Sequence, residues 1–489
     1  MQSVIFLALD RCGDKKNSIV FYGENKQLIE SGRVAFATAP VISAFASLPA
    51  FPVNIYNYRR PKNQSRGLTS MAEYYEPMLY MSSPEHSHTM GVEVDLKEDV
   101  DGRILNDVVE ALRERYPYFY VRASIEGEDI LAIPNPLPMV VRHGFYPIKF
   151  NSMESNYHLA AWKYEGKRMA FEINHALTDG AGVFPYVKAA LYLYIKKMTG
   201  LSFDPNGFHL PGEEIPESEI GNPMEGLDID KTKSPVFIKK PITDFYRPQG
   251  DAPFNPYTYY LKLNESELMR YCKDYDGSPN SFLAVMIARS LRRIDPKIQS
   301  PIVVSIAVDN KAMLGCKPNY RMFVHIIDID FPASRNLDDL LKACTVVRGQ
   351  MMAQASYENS LYEMKKRKEN NAMFSQTPLA AKMEMAAKFA GSVHSSAGIS
   401  YANSRSFGPL DPYIEAVYVL AEPVGSDILC EVSCINQHFY LAIAQSFTSD
   451  RFIQQFIKEL SSVGLECELL RQEPCRLCGI DPFIAKEQK

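Results

Sequence analysis

The chain has 489 residues, 46% of them hydrophobic, and a formal net charge of −5. Such a length suits two lobes sharing an interface rather than one domain, and the acidic balance argues against nucleic acid as the main partner, because phosphate binding needs a basic face. Nine cysteines, an odd number and scattered, with no secretion signal at the start, favour a reducing compartment, so the expected location is cytoplasmic. The one close pair, Cys475 and Cys478, has no second pair to complete a structural zinc site, and no metal is expected.

Residues 1–70 form a poorly patterned N-terminal extension. Val34 to Val53 is long enough for a membrane span, but Pro40, Pro49 and Pro52 among alanines and serines argue against a spanning helix, and membrane association is not expected. From Thr89 to Leu96, apolar residues alternate as in a strand, and Ile104 to Arg115 reads as a helix. The aromatic run Tyr116-Pro117-Tyr118-Phe119-Tyr120-Val121-Arg122 follows. Tyr157 to Tyr164 and Arg168 to Asn174 then read as a hairpin across Glu165-Gly166-Lys167, with Trp162 as a core residue.

The most informative segment is Phe171 to Gly180. Met169, Phe171 and Ile173 point one way, and Ala170, Glu172 and Asn174 the other, so this strand has one apolar face. His175 continues the apolar set, which directs its imidazole into the protein. Val183, Val187, Leu191, Tyr194 and Met198 recur at helical spacing, while Gly180 and Gly182 allow a sharp turn between strand and helix. Asp179, at the far end of the loop, has two options: folding back toward the imidazole or bonding amides at the helix start. A neutral histidine facing a cavity suits general-base catalysis, and no serine or cysteine lies beside it to make a triad.

Phe203 to Lys233, rich in Pro, Gly, Glu and Asp, is expected as a surface crossover or lid. The second lobe begins with a strand from Thr258 to Leu263. Further strands are expected at Ile302–Val308, Met322–Ile329, Ile414–Leu420, Ile428–Ile435 and Phe439–Phe447. Long helices span Leu337–Met352 and Tyr357–Phe389, the latter broken near Pro378, and a terminal helix spans Asp450–Ser462. The basic run Lys365 to Lys368, flanked by glutamates, reads as a solvated helix face. The resulting division is 1–70, 71–237, 238–470 and a tail, 471–489.

On His175, Asp179 and Gly180, the chain resembles the His-x-x-x-Asp-Gly acyltransferase superfamily, which includes alcohol acetyltransferases, chloramphenicol acetyltransferase and condensation domains. The resemblance runs from about Tyr74 to Leu465 in element order. It implies an α+β fold of two chloramphenicol-acetyltransferase-like lobes, each a mixed sheet with helices, and an active-site tunnel between them. It implies His175 as catalytic base, and Asp179 as mainly structural, paired with an arginine. Arg122, after the aromatic stretch, is the candidate partner. Ile399 to Leu410 resembles the second family signature, with Asn403 and Gly408 in an architectural role but further apart than usual. Relatives carry an arginine after a second-lobe strand; here Asp309-Asn310-Lys311 follows, which leaves that arginine missing at Lys311.

The implied activity is transfer of an acyl group from a thioester, acyl-CoA by expectation, to an alcohol or amine. No permanently bound cofactor is required. The partners are a small-molecule acceptor and the thioester. Two alternatives stay open: a condensation-type enzyme using carrier-protein thioesters in trans, and a catalytically silent relative that binds through the same cleft.

Overall fold

The structure is a computed structural model that describes residues 9–10, 18–19, 78–82 and 88–480, apart from 231, 236–237, 239, 250–254, 391, 403–405, 476 and 478. The sequence reading of Val34–Val53 therefore lies outside the described residues. The chain divides into residues 1–64 and 65–489. Within the first unit, β1 (Leu9–Asp10) and β2 (Ser18–Ile19) pair antiparallel.

In the second unit, the first lobe contains β3 (Thr89–Leu96), β4 (Val121–Glu126), β5 (Asp129–Pro134), β6 (Val141–His143), β7 (Lys149–Phe150), β8 (Ala160–Glu165) and β9 (Arg168–Asn174). The second half adds β10 (Tyr257–Asn264), β11 (Ile302–Asp309), β12 (Val324–Phe331), β13 (Ser395–Tyr401), β14 (Ile414–Ala421), β15 (Ser426–Ile435), β16 (His438–Gln445), β17 (Cys467–Pro474) and β18 (Gly479–Ile480). The first-lobe sheet has the order β14-β3-β9-β8-β6, and the second-lobe sheet β12-β11-β13-β15-β16-β10-β17. One strand is exchanged: β14, from the second half, pairs antiparallel with β3 and closes the first-lobe sheet.

Alternation explains both sheets. Val92, Val94, Met169, Phe171 and Ile173 are buried in the first core, which also takes in fully buried Trp162. On β15, Cys430, Val432 and Cys434 enter the second core, so Leu429, Glu431 and Ser433 point the other way, toward the first lobe. The hairpin of β8 and β9 turns at Gly166, whose φ of 55° is the left-handed conformation glycine adopts readily.

Two helices matter to the site. α1 (Gly102–Leu112) is capped by Asp101, and α2 (Gly180–Thr199) runs from the motif loop to Gly200, which ends it at φ 70°. The long helical region after β12 breaks as expected, with helices at Leu340–Gln354, Tyr357–Ser375 and Leu379–Ala390. The expected division at residue 470 falls inside β17. This edge strand has most of its residues exposed or half-exposed, so it shows no apolar alternation in the sequence. Among the described residues, no helix is long and apolar enough to cross a membrane.

Candidate active site

His175 follows the last residue of β9, where its backbone N–H donates to His88 O at 2.7 Å and extends the pairing of β9 with β3. The imidazole is half-buried, and its Nδ1 lies 2.7 Å from Thr178 O. A carbonyl oxygen only accepts, so Nδ1 carries the proton in the neutral ring and Nε2 presents its lone pair. Tyr118, from the aromatic run, donates its hydroxyl to Leu177 O and steadies the same loop.

Asp179 takes the second of its two options. Its Oδ1 accepts from Gly182 N at 2.8 Å, which caps α2, and its Oδ2 accepts from Phe323 N at 2.8 Å. The cation beside it is Lys311, with Nζ 2.7 Å from both carboxylate oxygens. Lys311 lies in a single turn, Asn310–Met313, that follows β11, and its Nζ also donates to Asn319 O at 3.2 Å and Arg321 O at 2.9 Å. Lys311 and Asp179 are almost fully buried, at 8% and 4% side-chain exposure, so the carbonyls and amides around the pair are what make its desolvation tolerable. Burial and the nearby Asp179 charge push the Asp309 carboxyl up.

Arg122 is not the partner of Asp179. It lies on β4 between Val121 and Ala123, which face the core, so strand alternation turns Arg122 to the opposite side. The buried arginine of this region is Arg115, seven residues earlier, which grips Glu219 through two bonds of 2.8 and 2.9 Å. Tyr320 donates to the same carboxylate, and burial, followed by that bond to Glu219, pushes its phenol up and keeps it protonated. Glu219 belongs to the single helical turn Glu217–Ile220 within the polar 203–233 stretch. Asn319 and Arg321 bond to carbonyls of the same turn, so the stretch expected as a lid clamps the loop that holds Lys311.

Neither motif glycine takes a left-handed conformation, so the sharp turn does not depend on glycine freedom. A Cβ at Gly182 would sit 2.2 Å from Tyr320 O, so close approach of the lobes requires that glycine; one at Gly180 would meet only Ala402 Cβ, at 3.7 Å. Gly408 is left-handed, with φ 62°, and opens a 3-10 turn over Gly408–Tyr413. The segment before it lies along α2, where Lys188 Nζ donates to Ser406 O at 3.1 Å. Asn403 lies outside the described residues, as does Cys478.

Between the lobes is a small cavity of about 30 Å³, lined by residues of both sheets. Its wall includes Glu172, three residues before His175, but not His175 itself.

No family model and no curated protein sequence matches the chain. Solved structures do match it. Polyketide synthase associated protein 5 from Mycobacterium tuberculosis is 13% identical, with TM-score 0.51, covering 80% of this chain and 96% of that one. TRI101 of F. graminearum, solved with coenzyme A and deoxynivalenol, is 14% identical, with TM-score 0.51 over 80% of this chain and 98% of its own. TRI101 of F. sporotrichioides, solved with coenzyme A and T-2, gives 13%, 0.50, 80% and 98%. The chain shares the two-lobed α+β fold of these solved structures.

Proposed function

We propose that this protein is an acyltransferase that moves an acyl group from a thioester, acyl-CoA, to an alcohol or amine in the cytoplasm. The observation that carries the reading is the hydrogen bond from His175 Nδ1 to Thr178 O, which leaves Nε2 as a proton acceptor at the end of β9. Nε2 takes the proton of the acceptor O–H or N–H as that atom attacks the thioester carbonyl. The tetrahedral intermediate collapses, expels the thiolate, and the imidazolium returns the proton to sulfur. Asp179 touches no reacting atom in this scheme. It holds the loop at the start of α2 and ties it to Lys311. Coenzyme A in the two TRI101 structures supports CoA as the donor's carrier.

Lys311 bears on the catalytically silent alternative. The arginine missing from its place has its charge supplied by Lys311, so that absence no longer speaks for loss of activity.

The test is mass-spectrometric detection of acyl transfer from a panel of acyl-CoAs to pooled alcohols and amines, with His175→Ala beside the wild type. Transfer that collapses in a folded His175→Ala variant is the expected result. Equal transfer in both overturns the base assignment. Silence with acyl-CoA, followed by transfer from a carrier-protein thioester, moves the reading to the condensation type.

A further inference from the structure

Where the two sheets meet beside β17, five charged side chains from both lobes converge. Glu93 and Asp95, two residues apart on β3, project to the same side, and Arg168 of β9 stands opposite Asp95 in the strand register. β17 supplies Arg471 and Glu473. Its pairing with β10 slips by one residue between Tyr260 and Leu261, and the resulting bulge at Leu470 re-aims the strand next to Arg471. Arg471 lies opposite Tyr260, whose ring belongs to the first core. The guanidinium therefore faces the first lobe, 3.9 Å from the centre of the Tyr260 ring and 5.0 Å from that of Tyr418.

The charges at this node do not balance. Arg168 bonds Glu93 at 3.0 Å and Glu473 at 2.7 Å. Arg471 bonds Glu93, bonds Asp95 at 3.0 Å and lies 3.8 Å from Glu473. Three carboxyl groups thus share two guanidinium groups, and Oδ1 of Asp95 is buried with no partner among the described residues. The surrounding elements add phenols and a phenyl ring. Tyr260 of β10, Tyr418 of β14 and Tyr440 of β16 are pushed up by burial and stay protonated, and Phe145 covers Arg168. The nearest other cations are taken: Lys163 by Glu172 at 2.6 Å, and Lys262 stands opposite Glu468 in the row beyond. Burial acts to raise Glu473, but the Arg168 bond and both arginine charges outweigh it and hold its carboxyl low. Asp95 goes the other way: burial, then the Glu93 charge, push it up to about 6 against the pull of Arg471 and Arg168. The proton that balances the node therefore sits on Asp95.

We propose that this node is a pH-sensitive latch between the lobes, in which Arg471 pins β17 to β3 and a proton on Asp95 tightens the pin. With Asp95 protonated, two carboxylates meet two guanidinium groups. With Asp95 ionised, a third negative charge is held out of water beside Glu93, a cost that lifting β17 from β3 relieves by admitting water. The closed form binds the proton more tightly than the open form, where Asp95 returns toward its ordinary value of 3.8. The latch is therefore strongest in acid and loosens as pH rises through 6. Between about pH 5 and pH 7.5 the open fraction should rise about tenfold. Loosening widens the gap walled by Glu93, Glu172, Tyr260 and Glu473, beside the strand that ends at His175. The latch goes beyond the acyltransferase reading and does not depend on it.

Cys475 reports the opening. It lines the same gap two residues after Glu473, and burial pushes its thiol up to about 12. The full chain is treated with N-ethylmaleimide, and modification of each cysteine is read by peptide mass. Dividing the rate in the urea-unfolded chain by the native rate at the same pH gives a protection that is free of thiol chemistry. Cys430, in the second core, reports unfolding of the whole lobe. Cys475 is expected to be less protected than Cys430, and its protection should fall about tenfold from about pH 5 to pH 7.5 while that of Cys430 holds. Asp95→Asn, which keeps the shape without the charge, should hold Cys475 near its acid protection, within about twofold, across that range. Glu93→Gln also balances the node and takes its place should Asp95→Asn not fold. Arg471→Met should lower the protection of Cys475 at both ends of the range. A wild type without pH dependence, a dependence kept by the folded carboxamide variant, equal protection of Cys475 and Cys430, or an Arg471 variant protected like the wild type overturns the latch. Acyl transfer is measured separately with His175→Ala, so loss of the latch and loss of the acyltransferase reading give different results.

Discussion

The ammonium of Lys311 lies 2.7 Å from each carboxylate oxygen of Asp179, so a second-lobe side chain pins the motif loop of the first lobe. Lysine cannot offer the planar fork of arginine, and its compact charge is completed here by the carbonyls of Asn319 and Arg321. Lys311→Met leaves the Asp179 carboxylate buried without its cation, at an expected cost of about 3–5 kcal/mol. Asp179→Asn combined with Lys311→Met should recover part of that loss. Urea unfolding of the two single variants and the double variant closes the cycle; additive losses would mean that the pair contributes no coupling.

The two glycines of the loop separate by space alone. Gly182→Ala drives a methyl against the Tyr320 carbonyl, a backbone atom that moves only with its loop. An overpacking cost of about 1–3 kcal/mol is expected, with the loop around Tyr320 displaced. Gly180→Ala has ordinary contact distance to Ala402 and replaces a poor helix former in the first turn of α2. It should change stability by less than about 1 kcal/mol. Parallel denaturation curves decide this, and equal losses for both would sink the close-approach argument.

What the sequence made legible follows from how local each signal is. The strand Thr89–Leu96, the hairpin over Trp162 and the strand–loop–helix around His175 are period-two and helical patterns within one stretch of chain, and they appear as expected. The partner of Asp179 lies 132 residues away, and nothing near either residue marks the pair. Arg122 was the expected partner because an arginine ends the aromatic run, yet alternation on β4 turns it outward while Arg115, before the run, points inward. Glu219 sits in a polar stretch without periodicity, so only the fold reveals that it is buried. For β14, alternation identifies a strand but not the sheet it joins.

Glu219 ties the 203–233 stretch to the rest of the second unit through Arg115 and Tyr320. Glu219→Ala leaves the Arg115 guanidinium buried without its carboxylate, a loss expected to cost about 3–5 kcal/mol. The released stretch should become the first site of cleavage in limited proteolysis, at residues 203–233. If cleavage there is unchanged although overall stability has fallen, other contacts hold the stretch and its clamp on the Lys311 loop is not made by Glu219.

His158 gives the fold an acid sensitivity of its own. It is fully buried, its Nε2 bonds to Leu137 O at 2.7 Å, and burial, the largest influence, pulls it down to about 4 from an ordinary value near 6.5. The Leu137 bond opposes that fall, and the nearby Arg113 charge adds to it. Between those two values, the unfolded chain takes up a proton that the folded chain refuses. Stability from this residue is therefore present above pH 6.5, falls as pH drops toward 4, and changes no further below that. The full loss is about 3 kcal/mol for this one group. Unfolding free energies measured from pH 7 to pH 4 for the wild type and His158→Gln isolate it, because the carboxylates contribute equally to both. The variant should be less stable at pH 7 and lose less on acidification; identical slopes would show that His158 is protonated in the folded state.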